Sequence, residues 1–69
     1  MPTYKKLDLK KLRQKKGYSQ QNVADRLGIT RQQYDKYEKK KHRPTVENMR
    51  KLAQAFDQKL VSIVMYFYE

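Results

Sequence analysis

Residues 19–38 read Ser19-Gln20-Gln21-Asn22-Val23-Ala24-Asp25-Arg26-Leu27-Gly28-Ile29-Thr30-Arg31-Gln32-Gln33-Tyr34-Asp35-Lys36-Tyr37-Glu38, and the organisation of the chain works outward from them. Ser19 suits an N-cap, because its hydroxyl can accept from a backbone N–H left over at a helix start. Val23, Ala24 and Leu27 then share one face of a helix. Gly28 ends that helix, since a residue just past a helix end takes positive φ and glycine does so without a steric cost. Two residues on, Thr30-Arg31-Gln32-Gln33 has the Thr-x-x-Gln form of a capping box, a direct signal that a new helix starts. The expected helices run over 19–27 and 30–38. A connection this short cannot turn the chain back into an antiparallel hairpin, so the two helices cross steeply.

The flanks are helical by the same signals. Asp8 is placed to cap a helix over 8–16 that carries Leu9 and Leu12, stops at Gly17 and has Lys15 and Lys16 in its last turn, where cations complement the helix dipole. Lys39-Lys40-Lys41-His42-Arg43-Pro44 forms a basic loop, because Pro44 cannot continue a helix. Thr45 caps a helix over 45–56 whose apolar positions Val46, Met49, Leu52, Ala53 and Phe56 follow the 3.6 period. The tail differs in kind. Leu60 to Tyr68 is rich in β-branched and aromatic residues, and one parity (Val61, Ile63, Met65, Phe67) is wholly apolar. That alternation predicts a strand over 60–68, with a short fifth helix as the alternative. The expected fold is mainly α, a single domain over 1–69 with four to five helices and a C-terminal strand.

Composition narrows the chemistry. With 69 residues and no Cys, disulfide staples, thiolate catalysis and cysteine metal sites are all excluded. His42 is the single histidine, so no histidine cluster can hold a metal. The longest near-apolar run, Leu60 to Tyr68, is far short of the ~20 residues that span a membrane. No apolar leader follows Met1, so the expected setting is cytoplasmic. Charge is the strongest compositional signal. Residues 1–44 hold 14 Lys/Arg against 4 Asp/Glu, which is all of the net +10, whereas residues 45–69 hold three of each. The first two thirds therefore face a polyanion, and nucleic acid leads because each neutralised phosphate releases condensed counterions.

The quoted run resembles the helix-turn-helix of the lambda-repressor/Cro-like (xenobiotic-response-element type) family: Ser19-Gln20, Val23-Ala24, Leu27-Gly28-Ile29, Tyr34 with Tyr37-Glu38, then Pro44-Thr45. Leu9, Leu12 and Arg13 resemble the family's first helix and Thr45 to Phe56 its fourth, so the likeness covers residues 8–56. It is specific, because it fixes many residue types at fixed spacings. What it implies is a DNA-binding module. One position departs from it: the glycine common two residues after the glutamate is Lys40 here, at a cost of about 1 kcal/mol if the backbone is left-handed there.

On a helical wheel with Tyr34 and Tyr37 inward, Gln32, Asp35, Lys36 and Lys39 point outward and Arg31 lies on the flank. Such a face suits the major groove of double-stranded DNA. Arg31 fits guanine and Gln32 fits adenine, Lys36 reaches guanine or phosphate, and Asp35 either accepts from cytosine N4 or repels phosphate at wrong sites. The resemblance implies the same base-reading positions for Arg31, Gln32 and Lys36. Gln20, at a helix start where free N–H groups favour phosphate, matches the family's phosphate-binding glutamine. Lys39, Lys41, His42 and Arg43 are expected phosphate contacts, which hold register without reading sequence. Arg13 and Glu38 match positions that, by the resemblance, form an orienting salt bridge.

A lone strand has unpaired edges that invite pairing, so Val61, Ile63, Met65 and Phe67 are expected to form an antiparallel ribbon with a second copy. Such a homodimer presents two recognition helices to half-sites about one helical turn apart. The leading expectation is a phage or bacterial Cro-type repressor on a palindromic operator, with no cofactor, no metal, no membrane association and too few residues after the fourth helix for an effector pocket. The alternative is an antitoxin whose tail also grips a toxin protein. No carboxylate pair, nucleophile-base set or phosphate-cradling glycine loop supports an enzyme. RNA binding is less favoured, because the aromatic residues sit at core spacing and not on a stacking platform.

Overall fold

The computed structural model describes residues 7–68. Five helices follow one another: α1 (Leu9–Lys15), α2 (Gln20–Leu27), α3 (Arg31–Glu38), α4 (Val46–Ala55) and α5 (Leu60–Tyr68). Each of the first four starts on a side-chain cap. The Asp8 carboxylate accepts from the Lys10 and Lys11 N–H groups at 3.0 and 3.3 Å. Ser19 accepts from Asn22, and Thr45 from Asn48. Thr30 and Gln33 close a full capping box, each side chain bonded to the other's backbone N–H.

The same four helices end alike, with paired backbone hydrogen bonds around one left-handed residue. At α2 the Gly28 N–H donates to the Asp25 carbonyl (3.2 Å) and the Ile29 N–H to that of Ala24 (3.0 Å). The left-handed residues are Gly17, Gly28, Lys40 (φ 57°) and Asp57 (φ 53°). Lys40 thus adopts the left-handed geometry although it is not glycine. The exit of α3 keeps its shape because the Lys41 N–H still reaches the Lys36 carbonyl at 2.8 Å.

The core gathers residues from all five helices, with Leu9, Val23, Leu27, Tyr34, Leu52, Phe56, Ile63 and Phe67 among those buried. Ala24 on α2 is fully buried, so a larger side chain there would have to displace its neighbours in the core. An aromatic pair ties α3 to α5, Tyr37 meeting Phe67 edge-on at 6.0 Å, and within α5 Tyr66 meets Phe67 at 4.9 Å. Such pairs add about 0.5–1.5 kcal/mol each beyond their burial.

The expected C-terminal strand over 60–68 is corrected: this segment is α5. The apolar parity divides. Ile63 and Phe67 are buried in this molecule's own core, whereas Val61 and Met65 are more than half exposed. The run is apolar at nearly every position, so it fits period 3.6 as well as period 2. Packing decides, because a helix satisfies its own backbone while bringing Ile63, Tyr66 and Phe67 onto the core. The ribbon built from Val61, Ile63, Met65 and Phe67 falls with the strand.

Candidate nucleic-acid interface

Three residues, Gly28 to Thr30, separate α2 from α3. The inner face of α3 is Tyr34 and Tyr37, both buried, while Arg31, Gln32 and Lys36 are exposed on the outer face. Burial of the aromatic side fixes the roll of the helix, so the direction of the polar side is set by the core.

A chain of polar contacts runs from α1 to the tip of α3, with Gln20 at its centre. Arg31 donates from Nη1 to Gln20 Oε1 at 3.1 Å. Gln20 Nε2 in turn donates to Asp35 Oδ1 (2.9 Å) and Glu38 Oε1 (3.0 Å). Glu38 is also held by Arg13 Nε at 2.6 Å, and Arg13 Nη1 donates to the Tyr18 carbonyl at 2.9 Å. Lys39 pairs with Asp35 at 2.9 Å.

Protonation states follow from these contacts. The Lys39 ammonium, then the Gln20 amide, hold the Asp35 carboxyl below its ordinary range. The Glu38 hydrogen bond keeps Arg13 charged, its pKa raised above the usual guanidinium value. Burial drives the Tyr34 phenol far above its usual range, so it stays neutral. Its hydroxyl has no hydrogen-bond partner among the described residues.

The structure therefore sorts the residues singled out in the sequence. Arg31, Gln32 and Lys36 lie together on the exposed face of α3. Asp35 is half-buried and engaged by Gln20 and Lys39, turned into the protein's own network. Gln20 is half-buried and occupied on both its oxygen and its nitrogen. Arg13 and Glu38 are paired, with side chains 11% and 5% exposed. Lys41 and His42 are exposed in the loop after α3, without a side-chain hydrogen bond or ion pair among the described residues. Arg43 donates to the Phe67 carbonyl at 3.0 Å and lies over the Tyr68 ring. The three-way bridge of Gln20 escapes a sequence reading because it depends on how α2 crosses α3. The Asp35–Lys39 pair was legible from its i,i+4 spacing. No group of acidic or histidine side chains among the described residues can hold a metal. No helix among them is long and apolar enough to cross a membrane.

Comparison with known proteins gives the same picture. Residues 9–63 match the family model described as helix-turn-helix. Over 45 residues the chain is 58% identical to YonR of Bacillus subtilis (strain 168), named as an SPbeta prophage-derived HTH-type transcriptional regulator. That likeness covers 65% of this chain and 42% of YonR, so the chain spans less than half of that relative's length.

Proposed function

The chain belongs to the helix-turn-helix family, of the lambda-repressor/Cro-like type, and from that premise we propose that it is a sequence-specific double-stranded-DNA-binding transcriptional regulator. The observation that carries this reading is the outer face of α3. Arg31, Gln32 and Lys36 are exposed there while Tyr34 and Tyr37 anchor the opposite side. α3 enters the major groove by its N-terminal end, Arg31 reading guanine and Gln32 adenine. Lys36 reads the next base or its phosphate. Asp35 acts mainly by holding Gln20 and Lys39 in place. Lys39, Lys41 and His42 lie along the phosphates, Gln20 braces Arg31, and the backbone N–H groups at the start of α2 meet a phosphate. YonR's name, that of a prophage-derived transcriptional regulator, supports a regulatory role, and a Cro-type repressor acting in the bacterial cytoplasm is the form proposed.

The regulator binds a palindromic operator as a homodimer, and the α5 face carrying Val61 and Met65 joins the copies. Both are more than half exposed, one turn apart on the same helix face. No residue of α5 itself carries a charged side chain, so the exposed patch is apolar. The same exposed face keeps a second reading in view, an antitoxin that grips a protein partner there. The test is affinity for the sequence recovered from a random duplex pool. Arg31→Ala or Gln32→Ala costs roughly 1–3 kcal/mol on that sequence and little on random DNA. Equal losses on both would remove these residues from base reading.

A further inference from the structure

The loop between α3 and α4 is fastened at both ends to the last turn of α5. At its near end the Tyr66 hydroxyl donates to the Glu38 carbonyl at 3.1 Å, and the Lys40 ammonium lies 4.3 Å from the centre of the Tyr66 ring. At its far end Arg43 Nε donates to the Phe67 carbonyl at 3.0 Å, and the guanidinium lies 4.4 Å from the centre of the Tyr68 ring. The Phe67 carbonyl lies in the last turn of α5, where carbonyls lack intrahelical donors and the negative end of the helix dipole gathers. A guanidinium suits that place on both counts. Between the two fastenings, Lys41 and His42 stand exposed.

We propose that Arg43 and Tyr68 form a positioning clasp: they fix the loop so that Lys41 and His42 face the DNA backbone, and Arg43 acts through the loop and not as a phosphate ligand. The proposal rests on the DNA-binding reading above. Its physical basis is preorganisation. A loop ordered before binding does not lose that freedom on binding. Arg43 has committed its Nε and its flat face to α5, so turning to phosphate would cost both contacts. Tyr68 is 58% exposed, so it can be changed without opening the core.

The test compares Tyr68→Ala, Tyr68→Phe and Arg43→Ala in the full chain. Affinity for the selected duplex is measured across salt concentrations, and amide spectra are recorded on the free protein. Tyr68→Ala is expected to weaken binding about two- to fivefold, the worth of an exposed cation–π contact, with an unchanged salt slope. Tyr68→Phe keeps the ring and the affinity. Arg43→Ala weakens binding at least as much with little change of slope, and adding Tyr68→Ala to it costs little more. In the free protein Tyr68→Ala shifts the Lys41 and His42 amide resonances and removes the ring shielding of the Arg43 Nε proton.

Unchanged affinity in Tyr68→Ala, with a slope lowered by about one in Arg43→Ala, would make Arg43 an ordinary phosphate contact and overturn the proposal. A free-protein spectrum in which those three resonances stay put overturns it without any DNA. If the unaltered chain binds no duplex at all, the regulator reading fails and takes the loop's role toward phosphate with it. The spectrum then decides separately whether the clasp exists.

Discussion

Replacing Arg13 by alanine strands the Glu38 carboxylate, whose side chain is 5% exposed. Glu38 loses the 2.6 Å bond from Arg13 Nε and keeps the 3.0 Å bond from Gln20. The Tyr18 carbonyl loses its 2.9 Å donor in the same change. Breaking a buried ion pair by removing one partner costs about 3–5 kcal/mol, because the other charge is left uncompensated. Here the lower end applies, about 3 kcal/mol, since Gln20 still serves Glu38 and the Arg13 side chain is 11% open to solvent. A domain of this length has a total stability of about 3–10 kcal/mol. Arg13→Ala therefore removes a large share of it and lowers the melting temperature by about 12–24 °C. The assay is thermal and urea unfolding followed by helical circular dichroism. Replacing both partners by apolar residues, Arg13→Met with Glu38→Leu, recovers most of the loss, because no lone charge remains. A loss below about 1 kcal/mol in Arg13→Ala would place the pair among surface ion pairs and refute its role as a strut.

Three further outcomes follow from the same structure. Met65→Asp shifts a dimer toward monomer in sedimentation without lowering the melting temperature, whereas Ile63→Asp, placed in the core, unfolds the chain; an unchanged mass for Met65→Asp would clear α5 of the interface. Lys41→Ala weakens binding to all DNA alike and lowers the salt slope by about one; an unchanged slope would remove Lys41 from the phosphate contacts. Because Lys39 holds the folded-state pKa of Asp35 below its ordinary value, this contact stabilises the fold above about pH 4 and is lost as the pH falls further. Asp35→Asn therefore flattens the acid limb of the stability profile relative to the parent chain, and parallel profiles would show that the pairing contributes nothing.

The helix-turn-helix was legible in the sequence because its signals are local. Ser19, Gly28 and the Thr30–Gln33 box act within a few residues of where they sit, and each does in the structure what its chemistry requires. The tail was misread because its signal is not local. Leu60 to Tyr68 satisfies both periods, and the choice is made by Phe67 lying against Tyr37, a contact across thirty residues of chain. The surroundings of Asp35 show a similar limit. On a wheel it belongs to the outer face, yet Gln20 reaches it from α2 and draws it into the network. Arg43 reads as one cation in a basic loop. Its engagement with the end of α5 depends on a helix that the sequence offers only as the alternative to a strand.

The most direct measurement of the central claim is selection of bound sequences from a random duplex pool at about 150 mM salt, where non-specific phosphate contacts are weakened. The account predicts enrichment of a palindrome with half-sites about one helical turn apart. It also predicts that Arg31→Ala relaxes the choice at one position in each half. Binding with no enriched sequence, or no binding, would contradict the regulator reading and turn attention to a protein partner on the face of Val61 and Met65.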